Sequence, residues 1–138
     1  WLNPDNTEVS IDDLLSAPAI KLLIRKAGAR SDDMVAELAK HIGDEGDITY
    51  STNNGLVEIM PLGVSKATGV AELAGPLGIP AAAVVTFGDM PNDAPMLSWA
   101  GLGVAMGNAH PDALAAADEV TATNIKDGVA RVLERWWL

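Results

Sequence analysis

The sequence of 138 residues contains no cysteine, which excludes a disulfide framework and any thiolate chemistry and suits a reducing cytosol. Basic residues are scarce. Nine lysines and arginines face 19 aspartates and glutamates, for a formal net charge of −10. Binding to nucleic acid or to an anionic membrane surface is therefore not expected, because the cations that neutralise phosphates are missing. No apolar run approaches the ~20 residues needed to span a bilayer, and no basic-then-apolar leader resembles a signal peptide. A soluble, cytoplasmic protein is the expectation. Histidine is limited to His41 and His110. Neither has a metal-ligand partner at useful spacing, so both are expected at the surface or as caps. The first residue is Trp1 rather than methionine, as in a chain that has been processed or cut from something larger.

About half of the residues are apolar, enough for one ordinary domain with a core, since a chain near this length hides roughly two thirds of its unfolded surface. Residues 1–18, with Pro4, Pro18 and a short apolar cluster at Ile11, Leu14 and Leu15, read as an irregular segment with at most one turn of helix. AIKLLIR at 19–25 reads as a strand closed by Gly28. Ser31 is placed to cap a helix with Asp32 and Asp33 in its first turn and Met34, Val35, Leu38 and Ile42 at helical spacing up to Gly43. DITYST and GLVEIM, joined through Asn53-Asn54-Gly55, read as a hairpin. Residues 19–61 thus form a β-α-β-β segment.

Pro61 and Gly63 mark the seam to residues 62–138. There Ser65 caps a helix with Val70, Leu73 and Ala74 on one face, stopped by Pro76. VVTF at 84–87 is a continuous apolar run of the kind covered on both faces in a parallel sheet. A helix from Asp93 with Pro95 in its first turn, a strand GLGVAM, an alanine-rich helix over 109–117 and a short strand EVTAT follow. Val129, Val132, Leu133, Trp136 and Trp137 form an amphipathic helical stripe, with the tryptophans expected in the core. Alternating strand and helix make this half α/β with a parallel sheet.

The informative stretch is VVTFGDMPNDAPML. An apolar strand ends at Gly88, and two aspartates and an asparagine crowd its tip, the position where open α/β sheets bind ligands. Gly88 allows close approach of backbone, Asp89 offers a hard oxygen to Mg²⁺, and Asn92 and Asp93 stand where amides at a helix start face a phosphate. A plain turn with Asp93 as helix cap is the alternative, although a cap needs only one such residue. Gly101, Gly103 and Gly107 do not make a dinucleotide fingerprint.

GDMPND resembles the G-D-x-x-N-D motif of the haloacid-dehalogenase-like phosphohydrolases, and LGVSKATGVAEL resembles the lysine motif of their Cof-type branch. GLGVAMGNA and TNIKDGVARVL continue the likeness, and the β-α-β-β segment resembles the second half of that branch's cap. The resemblance implies a Rossmann-like three-layer core at 62–138, joined to part of an α+β cap at 19–61. It implies a Mg²⁺-dependent phosphomonoesterase acting on a small phosphorylated metabolite. Asp89 matches the metal ligand, and Asp93 a second acidic residue supporting the metal or its waters. Asn92 matches the group that holds the transferring phosphoryl, and Lys66 the lysine between phosphate and nucleophile. Taken alone, Lys66 is equally an exposed first-turn lysine. Position 67 is alanine where the family usually has glycine, a change that slightly favours helix.

The family's nucleophile motif, D-x-D-G-T/S, is not found. Asp12-Asp13 and Asp32-Asp33 lack the following Gly and Thr and end no apolar strand, and the second phosphate-binding Ser or Thr is not identifiable either. The resemblance therefore implies the C-terminal half of such a phosphatase, inactive alone. VVTF would then be an unpaired edge that seeks the missing half or a second copy. Two other readings remain open. One is a P-type ATPase phosphorylation domain, which fits residues 86–107 but not the segment before Lys66. The other is a non-catalytic module that binds phosphate or Mg²⁺.

Overall fold

The computed structural model describes residues 7–137. The features noted at Trp1 and Pro4 lie outside that range, as does the side chain of Trp137. Helix α1, Ile11–Leu15, is a single short turn whose first amides are met by the Ser10 hydroxyl, with Asp13 N donating to it at 3.1 Å. Strand β1, Leu22–Arg25, helix α2, Ser31–Ile42, and strands β2, Asp47–Thr49, and β3, Leu56–Met60, build an antiparallel sheet in the order β1-β3-β2. Strand β3 alternates in burial. Val57 and Ile59 are buried, as is Met34 of α2, while Glu58 and Met60 face an open cleft on the other side. The hairpin expected at Asn53-Asn54-Gly55 is present, with Thr49 opposite Glu58. Gly55 is required there: its φ is +81°, and a Cβ would collide with the Lys26 carbonyl.

Ser31 does not cap α2. Its buried hydroxyl turns back into the hairpin, where it donates toward the Thr52 and Leu56 carbonyls and meets the Gly55 and Leu56 amides. The cap comes from across the chain: Asn53 Oδ1 accepts from the amides of Ser31, at 2.8 Å, and Asp32, at 3.3 Å. One asparagine thus supplies both the turn chemistry of the hairpin and the missing acceptor at the helix start.

Helix α3, Lys66–Ala74, follows Ser65, which with Thr68 forms a reciprocal capping box. Its inward stripe is Ala67, Val70, Ala71 and Ala74, at i, i+3, i+4 and i+7, of which Ala74 is buried. Leu73 falls outside that stripe and is 69% exposed, so its expected place on the buried face is corrected. Strands β4, Val85–Gly88, β5, Leu102–Ala105, and β6, Glu119–Val120, form a parallel sheet in the order β4-β5-β6. Helices α4, Ala94–Trp99, and α5, Pro111–Ala116, connect them. Helix α4 lies against β4 and β5 and touches both α3 and α5. Leu97, Val104, Ala105 and Ala113 are fully buried there. Gly103 lets α4 come close, since a Cβ would strike the Leu97 carbonyl.

Strands β4 and β6 are the edges of this sheet among the described residues. Val85 and Phe87 are only half-buried, short of the full two-sided cover expected for VVTF. The C-terminal helix α6, Gly128–Trp137, is anchored at Gly128 beside Ala122 and Met106 and at the fully buried Val132. Trp136 is 53% exposed, which corrects its expected core position: only the first turns of α6 rest against the sheet loops.

Tyr50, in the hairpin, is buried and donates its hydroxyl to Asp32 at the start of α2. This bond, with Arg30 and Asn53 adding donors, holds the Asp32 carboxyl well below the usual carboxylate range. Burial first, and the Asp32 hydrogen bond second, push the Tyr50 phenol above its ordinary value. The signs predict a pH dependence. A depressed carboxyl contributes stability that is present above its unfolded pKa, about 4, and is lost as pH falls below it; a raised phenol contributes stability that is lost as pH rises past about 10. The stability gap between wild type and Tyr50→Phe is therefore expected to be widest and flat from about pH 5 to 9 and to narrow on both sides. Urea denaturation of both proteins from about pH 3 to 11 checks it, and a gap that stays constant beyond both ends of the plateau would contradict the assignment.

Candidate active site

The site forms where β4 ends. Residues 89–93 leave the carboxyl end of the strand, pass through a single 3-10 turn at Pro91–Asp93 and enter α4. Asp93 closes this loop on itself. Its Oδ2 accepts from the amides of Asp89, at 2.9 Å, and Met90, at 3.0 Å, and its Oδ1 pairs with the ammonium of Lys66. Asp93 is 4% exposed, a burial that a carboxylate tolerates only with such partners. Gly88 is small because Asp93 needs the room: a Cβ at 88 would collide with the Asp93 side chain. The close backbone approach expected at Gly88 is thus made toward Asp93.

Lys66 reaches the site from the capped start of α3. Its side chain is about half exposed (48%) even while paired with Asp93, so one side of the ammonium remains open to the cleft. Asn92 lines the same cleft, and its Oδ1 is buried without a hydrogen-bond partner. An orphaned buried acceptor of this kind costs about 1–3 kcal/mol; of the two ends of this amide, it is the Nδ2 end that can donate to a phosphate oxygen. Asp89 turns the other way. Its carboxylate has one long contact, 3.4 Å from the amide of Asn108, and it is otherwise available to a hard cation. The structure therefore places Lys66 and Asn92 on one cleft, with buried Asp93 holding Lys66 from behind, and sets Asp89 on the Asn108 side.

Three contributors were not picked out by motif. Asn108 bridges Asp89 and the amide of Asn124, which it accepts at 3.0 Å; it lies in GLGVAMGNA, where the glycines drew the reading. His110 caps α5, accepting from the Asp112 amide at 3.2 Å through Nδ1, as expected, and its own amide donates to the Asp89 carbonyl at 2.8 Å. Its Nε2 also stands 3.1 Å from the Tyr50 hydroxyl. Tyr50 is the only tyrosine, and nothing in its local sequence distinguishes it. His41 is an exposed partner of Glu37.

The cleft between the two sheets encloses about 790 Å³. The first sheet supplies Thr49, Tyr50 and Glu58 to it, and the second half supplies Lys66, Asn92 and Pro95. That volume suits a small organic molecule. Among the described residues no group of three or more His, Asp or Glu side chains gathers as a ready cation site, and no helix is long and apolar enough to cross a membrane.

A profile of the haloacid dehalogenase-like hydrolase family matches residues 1–133. A 5-amino-6-(5-phospho-D-ribitylamino)uracil phosphatase of Bacillus subtilis is 40% identical over 107 residues, 78% of this chain and 42% of that protein. A phosphatase of the same name from Escherichia coli is 37% identical over 108 residues, 76% of this chain and 40% of that protein. The chain thus spans less than half the length of these relatives. Among solved structures, a HAD subclass IIB sugar phosphatase superposes with a TM-score of 0.80 at 28% identity, over 94% of this chain and 47% of that one. A haloacid dehalogenase-like hydrolase from B. subtilis gives 0.77 at 29%, over 92% and 45%. The mixed α/β fold with its parallel sheet agrees with these relations, and the chain belongs to the haloacid dehalogenase-like hydrolases, in their Cof-type phosphatase branch.

Proposed function

We propose that these residues form the lysine and metal side of a Mg²⁺-dependent phosphomonoester hydrolase that works through an aspartyl-phosphate, with the attacking carboxylate supplied by a segment outside them. The observation that carries the reading is the placing of Lys66 and Asn92 in one cleft at the end of β4, with buried Asp93 holding Lys66 and Asp89 open on the other side of the loop. The donor set fits Mg²⁺, which takes one or two carboxylates and fills the rest of its shell with water and phosphate oxygens. Asp89 is the direct ligand in this reading. Asp93, with both oxygens engaged, supports it by fixing the loop.

Bound there, the ion would neutralise charge on the phosphate oxygens. The chain's own side chains do the positioning. Lys66 presents its open face to the phosphoryl group while Asp93 holds its other side, and Asn92 sits within the cleft to orient the same group. Phosphoryl transfer depends on such placement and charge stabilisation more than on elaborate proton transfer. A small phosphorylated metabolite is the proposed substrate, supported by the cleft volume and by the phosphatase names of the relatives. The absence of cysteine and the acidic surface agree with a cytoplasmic setting.

Three measurements test this. In the protein as the cell makes it, Asp89→Asn is expected to lower Mg²⁺-dependent kcat/KM by ~100-fold or more with the fold retained, because the amide keeps the shape and loses the charge that holds the ion. Unchanged hydrolysis at low Mg²⁺ would remove Asp89 from the metal. Lys66→Ala is expected to lower kcat by about 100- to 1000-fold with a smaller change in KM, since the charge it meets grows during transfer; an effect confined to KM would make it a ground-state anchor. Finally, the 138 residues alone are expected to show no turnover of an aryl phosphate and to associate through the unpaired edge of β4. Light scattering and an Mg²⁺-supplemented assay check both. A well-behaved, active monomer would overturn the proposal that the nucleophile lies elsewhere.

A further inference from the structure

One interaction crosses between the two sheets and is not explained by phosphate chemistry. Tyr50 belongs to the hairpin of the first sheet, and His110 caps α5 of the second. Their rings meet edge to face, with centroids 5.9 Å apart and planes at 88°, and Tyr50 Oη lies 3.1 Å from His110 Nε2. The partners on either side fix the direction of every hydrogen. The Tyr50 hydroxyl donates to Asp32, so its oxygen is the acceptor toward His110. The Asp112 amide donates to Nδ1, so the proton of the neutral imidazole is on Nε2 and points at that oxygen. A single directed chain runs from the start of α5, through His110 and Tyr50, to Asp32 at the start of α2. Its near end also touches the loop of the proposed metal ligand, because the His110 amide donates to the Asp89 carbonyl.

We infer that Tyr50 and His110 form a latch that positions the first sheet over the cleft, acting through the cleft wall and the Asp89 loop rather than on reacting atoms. Tyr50 is itself a wall of the cleft, so wherever this bond holds, the wall stands at a set distance from Lys66 and Asn92. Where it breaks, the first sheet swings free at that edge and the organic part of a substrate loses its wall. The role in turnover rests on the phosphatase reading; the role in holding the sheets does not.

The test therefore uses two readouts on the protein as the cell makes it. Spin labels at Ala36→Cys on α2 and Ala115→Cys on α5, both exposed positions, in a background free of other thiols, report the distance between the two halves. Hydrolysis of ribitol 5-phosphate reports kcat and KM. Wild type is expected to give one narrow distance. Tyr50→Phe and His110→Ala are each expected to add a longer population and to lower kcat/KM about tenfold, and the double variant is expected to be no worse than either single one. His110→Gln, which keeps an N–H donor, is expected to recover most of both, and it preserves the test where His110→Ala fails to fold. An unchanged distance in the single variants, additive losses, or a broadened distance with kcat/KM intact would each overturn the latch. A wild type that hydrolyses no phosphate monoester while the distances respond as expected would sink the phosphatase reading and leave the latch standing.

Discussion

Asp93 carries a charge inside the protein, and the geometry of the site depends on how that charge is met. Two amides and one ammonium converge on its two oxygens. Hydrogen bonds to a charged group contribute about 1.5–3 kcal/mol each, while taking the carboxylate out of water costs several kcal/mol; Lys66 stays about half exposed and loses less. The two sums are of similar size, so the arrangement adds little net stability. What it supplies is position. The amides bring residues 89 and 90 back over the strand tip, Gly88 must stay without a side chain to admit the carboxylate, and α4 begins immediately after it. Lys66 is drawn in from α3, more than twenty residues earlier in the chain. Removal of this one carboxylate would leave two inward-facing amides and a lysine without the partner that aims it.

The same economy recurs in the first sheet. Asn53 closes the hairpin and also caps α2, and Asp32 at that capped start is then held by Tyr50. Helix, hairpin and the contact to His110 are therefore coupled through Asp32 and Tyr50. This coupling explains why the pH response of the Asp32–Tyr50 pair bears on the fold, although neither group is part of the phosphate-facing set.

Elements whose signal is local were legible in the sequence. The hairpin at NNG, the Ser65 cap and the alternation of strand and helix after Lys66 all follow from residues within a few positions of one another. The loop GDMPND was legible because its chemistry is packed into six residues. Partnerships that span the chain were not. Ser31 has the composition of a cap, but the competing demand of the hairpin's buried amides takes its hydroxyl, and Asn53 does the capping from 22 residues away. Leu73 and Trp136 have apolar side chains, yet the stripes that pack are set by which face meets α4 or the sheet loops, and periodicity alone misplaced both. Tyr50 and His110 lie 60 residues apart with no motif around either. Asn108 sat inside a recognised block, but only the fold shows it turned toward Asp89.

Charge arithmetic at the cleft explains why a cation and a phosphate belong together in the proposed reaction. Lys66 and Asp93 cancel, and Asp89 leaves the strand tip with one net negative charge on a chain that is already at −10. Most of that background is screened beyond about 8 Å at physiological ionic strength, so the nearby carboxylates decide the local field. A phosphate dianion entering alone would find two lysines in the cleft wall, Lys66 and Lys21, each already paired with a carboxylate. A divalent ion held by Asp89 would reverse the sign of that corner and would favour phosphate oxygens, and any such coupling between the two ligands would be reciprocal by thermodynamic necessity. Lys66 is already paired with Asp93 and Lys21 with Glu58, so in the proposed reaction the phosphate would draw on a cation at Asp89 for charge that the cleft's own lysines have largely committed.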